Sequence, residues 1–129
     1  MNIFSPEPKS SSKGIEPIKE YRIQCDLLEN DDKYILLIDC PGLSTDDIKM
    51  KWVGESLKIK LVAPESKYDD CYEITKERLT DEAERTISFP DPVDKQSITA
   101  ELKNGVLEVN IKKQAEEDDE SNLIKISAK

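Results

Sequence analysis

Histidine does not occur among these 129 residues. Its absence removes the commonest general base and the commonest metal ligand, so Ser-His or Cys-His catalysis and a His-bound zinc are excluded. Cysteine is sparse: Cys25, Cys40 and Cys71 form an odd, scattered set without a CxxC pair, as expected of reduced thiols in a cytosol-like compartment. Without an activating base none of the three is a convincing nucleophile, and no enzyme activity is expected. No uncharged apolar run approaches the roughly 20 residues needed to cross a bilayer, and the opening residues lack a basic segment followed by an apolar one. The expectation is a soluble, cytoplasmic chain without a membrane partner.

Positive charge is also in short supply. Nineteen Lys and Arg against 28 Asp and Glu give a net charge of −9, which opposes docking on phosphate backbones, so nucleic acid is not an expected partner. Hydrophobic residues make up only 36% of the chain, low for a compact domain, which places part of the sequence outside the core. Two segments account for the deficit. Residues 1–20, with Pro6, Pro8, Pro17, Gly14 and three consecutive serines, read as a flexible N-terminal arm. Residues 114–129 read as a C-terminal extension: five consecutive acids, Glu116 to Glu120, followed by Leu123, Ile124, Lys125 and Ile126. An acidic block of this kind stays solvated. The apolar patch at its far end can reach and dock into a groove.

Between these tails, over residues 21–113, apolar residues recur with period two, the signature of half-buried strands. Ile48, Met50 and Trp52 alternate with Lys49 and Lys51, and Leu57, Ile59 and Leu61 with Lys58 and Lys60. Ile98, Ala100 and Leu102 alternate with Thr99 and Glu101, and Leu107, Val109 and Ile111 with Glu108 and Asn110. Asn104-Gly105 joins the last pair, a strong hairpin signal because a type I′ turn needs φ > 0 at both central residues. Tyr34 to Ile38 is apolar on both faces and predicts a strand covered on two sides. Residues 23–28 and 85–89 are shorter candidates. Ser44 to Asp47 reads as a capped single turn, and ERLTDEAER, from Glu77, has good local helix formers. With Pro64 to Lys76 it makes a connection of about 20 residues, long enough to be functional. Tyr72 and Ile74 suggest a strand within it, able to pair with another chain's edge. Seven short strands without a long helical period predict an all-β sandwich.

Four motifs in order resemble the small heat-shock protein (α-crystallin) family. Ala100-Glu-Leu-Lys-Asn104-Gly105-Val106-Leu107 matches its A-x-x-x-N-G-V-L signature. Asp39-Cys40-Pro41-Gly42-Leu43 with Asp46-Asp47-Ile48, Arg85-Thr-Ile-Ser-Phe89-Pro90, and the terminal I-x-I of Ile124-Lys125-Ile126 complete the set. The resemblance implies an immunoglobulin-like β-sandwich, the α-crystallin domain, and an ATP-independent holdase that keeps partly unfolded client proteins from aggregating. It implies no cofactor, and no P-loop occurs. It implies partners of two kinds, clients and further copies of the same chain.

By the same resemblance, Ile124 and Ile126 dock into a groove formed by Ile48, Met50, Trp52, Ile98 and Ala100 on a neighbouring dimer. Core packing is the other reading of Met50 and Trp52, and the two coexist where a groove is an uncovered margin of the core. Cys71, Tyr72 and Ile74 lie in what resembles the family's swapped-strand loop, with Arg85 near its subunit interface; for Arg85 an ordinary surface charge is the alternative. Asn104 and Gly105 are structural hairpin residues. The arm is short, with Phe4 its only aromatic. That favours a second reading, an α-crystallin-type or CS-domain-like interaction module that binds one folded partner with little holdase activity.

Overall fold

The computed structural model describes residues 21–115 and 124–128. The expected N-terminal arm, residues 1–20, and the acidic block with Leu123 lie outside the described residues. Seven strands form: β1 Cys25–Glu29, β2 Lys33–Asp39, β3 Ile48–Val53, β4 Ser56–Val62, β5 Glu82–Ser88, β6 Thr99–Lys103 and β7 Val106–Lys112. They build two antiparallel sheets, one ordered β1-β2-β7-β6 and the other β3-β4-β5.

Register follows from the alternation. Tyr34 faces Ile111, Leu36 faces Val109 and Ile38 faces Leu107, so one set of period-two positions on both strands points inward and is buried. The second sheet contributes Leu57, Ile59 and Leu61 from β4, with Ala83 and Ile87 from β5, to the same cluster. A slip of one residue would turn each of these sets to solvent.

Contacts at the margins fix how the sheets overlie. Arg85 Nη1 donates to the Ile23 carbonyl at 2.7 Å, which holds β5 against the approach to β1. On the other side, the Lys95 ammonium lies 3.1 Å from Glu55 and 5.9 Å from the centre of the Trp52 ring. Lys95 opens the short 3-10 turn Lys95–Ser97 just before β6. β5 therefore lies over β1, and β3 over β6.

Three expectations are revised. Strand β2 is buried only on its inner face, while Ile35 and Leu37 are half-buried because their outward neighbours on β7 are Asn110 and Glu108. The end of ERLTDEAER is strand rather than helix: Ala83 pairs with Leu61 and Ile87 with Leu57, and this pairing overrides local helix propensity. Asp81, at φ 58°, turns the chain into β5, and its carbonyl accepts the Ala63 N–H at 2.7 Å. Between residues 63 and 81 no strand forms, and Tyr72 and Ile74 stand 81% and 63% exposed. A strand needs a partner to satisfy its ladder hydrogen bonds, and no edge of this chain supplies one there.

Candidate interaction surfaces at the sandwich edges

Two of the sequence motifs meet in space. Cys40-Pro41-Gly42-Leu43 forms a β-turn closed by the Leu43 N–H to the Cys40 carbonyl at 3.2 Å, with Gly42 at φ 75°. Proline second and a positive-φ glycine third are what a type II turn requires. Asn104 and Gly105, at φ 52° and 77°, make the I′ hairpin between β6 and β7. The Cys40 N–H donates to the Gly105 carbonyl at 2.7 Å. A Cβ on Gly105 would lie 3.6 Å from the Pro41 Cα. The two motifs are thus one clamp closing the end of the β2-β7 pair, where a shallow depression is lined by Pro41, Gly42, Asn104 and Gly105. Sequence reasoning read the hairpin and missed its partner. No local signal pointed to it, because the two turns meet only through the β2-β7 pairing, in which Asp39 faces Val106.

The candidate groove residues gather at the margin where β3 overlies β6. Ile48, Met50 and Trp52 are half-buried and pack against the core cluster, as does Ile98. Ala100 shares the inward register of Val109 yet is exposed. Phe89 stands behind Trp52 at 6.1 Å between ring centres and contacts Tyr34 at 5.3 Å. The outer edges of β3 and β6 pair with no strand among the described residues. The margin therefore combines partly uncovered apolar side chains with unpaired backbone groups, the two things an extended peptide uses when it adds to a sheet edge. Ile124 and Ile126 are 87% and 92% exposed and so do not occupy this margin in their own chain.

The candidate dimer-interface residues divide. Cys71, Tyr72 and Ile74 are exposed on the 63–81 connection, together with Tyr68. Arg85 lies apart from them on β5, half-buried, and its guanidinium donates to the Ile23 carbonyl across the β5-β1 edge.

The thiols differ in setting. Cys40 is fully buried, and desolvation, reinforced by the Asp39 charge, pushes its pKa up to about 11. Burial raises that of Cys25 more than the Arg85 cation lowers it. A thiolate is thereby disfavoured at both positions. Among the described residues no group of three or more Cys, Asp or Glu is arranged to hold a metal ion, and no helix is long and apolar enough to cross a membrane.

Two short antiparallel sheets, a type II turn clamped to an I′ hairpin, a long exposed connection before β5 and an open β3/β6 margin define a sandwich of the α-crystallin type. Residues 26–127 match the model of the Hsp20/alpha crystallin family, and the chain belongs to that family. It is 36% identical over 104 residues to small heat shock protein C4 of Rickettsia felis, covering 79% of this chain and 62% of that protein. It is 30% identical over 104 residues to an 18 kDa heat shock protein of Clostridium acetobutylicum, covering 78% and 68%. The chain thus spans under two thirds of the Rickettsia protein's length. Among solved structures, a small heat-shock protein of Xylella fastidiosa superposes with a TM-score of 0.67 at 25% identity, covering 86% of this chain and 99% of that one. The Xanthomonas axonopodis hspA does so at 0.61 and 29% identity, covering 71% and 93%.

Proposed function

We propose that this chain is a cytoplasmic, ATP-independent holdase that binds partly unfolded proteins through exposed apolar surface and prevents their aggregation. The observation that carries the reading is the contrast between a closed core and three uncovered apolar features: Tyr68, Tyr72 and Ile74 on the connection, the β3/β6 margin, and Ile124 with Ile126. Apolar groups left exposed by their own fold are available to clients or to other copies, and covering them is favourable. Two chains exchange the 63–81 connection to form a dimer, its Tyr72-Ile74 segment taking the partner edge it lacks at home. Dimers then link through Ile124 and Ile126 seated at the β3/β6 margin of a neighbour. Residues 1–20 act as an arm and residues 114–129 as the tether. The test is light scattering from a heat-labile enzyme warmed with a stoichiometric amount of the full chain and no nucleotide. Suppressed scattering is expected; equal aggregation with and without the protein refutes the holdase reading.

A further inference from the structure

The outward face of the β3-β4-β5 sheet carries four lysines on a chain whose net charge is −9. Lys49 and Lys51 of β3 stand opposite Lys60 and Lys58 of β4, and like charges directly opposite one another repel. On β4 the repulsion is offset from the far side: Lys58 lies 3.2 Å from Glu84 and Lys60 2.8 Å from Glu82. On β3 it is not. Lys49 and Lys51 are exposed and take part in no ion pair among the described residues. The result is a pair of uncompensated cations on an edge strand, about 6.7 Å apart at two residues' separation.

We infer that this lysine edge receives the acidic run of a second copy of the chain, Glu116, Glu117, Asp118, Asp119 and Glu120, as an electrostatic latch beside the apolar dock. Charge complementarity selects the occupant: those five acids are the densest negative run in the sequence. In an extended segment every second acid recurs at the same ~6.7 Å interval as Lys49 and Lys51. Glu120 is four residues before Ile124, a reach of at most ~13 Å, so a tail with Ile124 and Ile126 on the inward side of β3 brings its acids to the outward side of the same strand.

The donor is another copy because Ile124 and Ile126 stand 87% and 92% exposed and so do not occupy the β3/β6 margin of their own chain; it is not their own lysine edge to which they bring the acids.

The inference rests on the linkage reading only in placing the tail at β3, and the experiment separates the two. Nitrogen-15-labelled and unlabelled full chains are mixed, coupled with a zero-length carbodiimide that joins lysine to carboxylate, and the joined peptides identified by mass spectrometry. Mixed-isotope links from Lys49 or Lys51 to residues 116–120 are expected. At low salt, Lys49→Glu with Lys51→Glu weakens association about ten-fold, and adding Asp118→Lys with Glu120→Lys restores it. Links within one chain only, links only to acids elsewhere such as Glu101 or Glu108, or charge reversal without restoration overturn the inference. If Ile124→Ala with Ile126→Ala lowers the native mass while no such link forms, the latch alone fails. If that variant leaves the mass unchanged and the links form, the linkage reading fails and the latch stands.

Discussion

Cys40 shows how much a single small side chain reports about this fold. It is fully buried between the β2 end and the hairpin clamp, and its thiol ionises only near 11, against 9.0 in an exposed setting. Between those pH values the unfolded chain releases the proton and the folded chain keeps it. The unfolded state then binds fewer protons, and stability falls as pH rises. The contribution is fully present below pH 9 and lost by about pH 11, up to about 3 kcal/mol for a shift of this size. Tyr34 works in the same direction, its pKa raised by burial and by its hydrogen bond to Asp91, as do Lys60 beside Glu82 and Lys113 beside Glu29. Urea midpoints measured from pH 7.5 to 11 should therefore decline for the natural chain. Cys40→Ala, though less stable at neutral pH because of the small void it leaves, should decline less steeply. Parallel slopes in the two proteins would mean that the thiol is not the titrating group.

At the scale of elements, Arg85 ties the sandwich along one margin. It stands on β5 opposite Ile59 and reaches out of its sheet to the carbonyl of Ile23, itself a core residue 2% exposed. Hydrogen bonds to charged groups contribute about 1.5–3 kcal/mol net, and truncation leaves the Ile23 carbonyl without its donor. Arg85→Met should cost about that amount in unfolding experiments diluted to the point where chains are separate, and should speed amide exchange in β1. A variant that loses dimer affinity while keeping full stability when diluted would assign Arg85 the interface role that sequence reasoning favoured instead.

The elements themselves were largely legible. Where one strand face carries Leu57, Ile59 and Leu61 and the other Lys58 and Lys60, period two leaves no alternative, and all four clearly alternating segments form strands. Asn104-Gly105 likewise fixed its turn through local φ requirements alone. Legibility fails where the deciding contact is remote. Ala83 becomes strand only because Leu61 waits opposite, and the 63–81 connection stays irregular because no edge of its own chain pairs with it. The meeting of Pro41 with Gly105 and the reach of Arg85 to Ile23 are products of topology, to which no window of sequence has access.

For the whole molecule, the candidate site was legible as a set of residues but not as an arrangement. The alternation that placed Ile48, Met50 and Trp52 on one side of β3 also placed Lys49 and Lys51 on the other, yet which lysines are neutralised depends on β5 lying next to β4. The assembly proposed above depends on magnitudes at this scale. Burying the two isoleucines of one tail contributes about 3–6 kcal/mol before the cost of ordering the tether, and a few exposed ion pairs add roughly 0.2–1 kcal/mol each. A single link of the proposed kind would then have a dissociation constant in about the micromolar to millimolar range, too weak to hold two of the proposed dimers together in dilute solution. Larger assemblies persist only where several links close at once and each raises the effective concentration of the next. The native mass of the full chain, followed by light scattering from about 100 μM down to about 1 μM, should therefore fall toward that of the dimer, and fall earlier as salt is raised. Ile124→Ala with Ile126→Ala should give the dimer mass throughout the same range. A mass independent of both concentration and salt in the natural chain would assign assembly to contacts outside the tail.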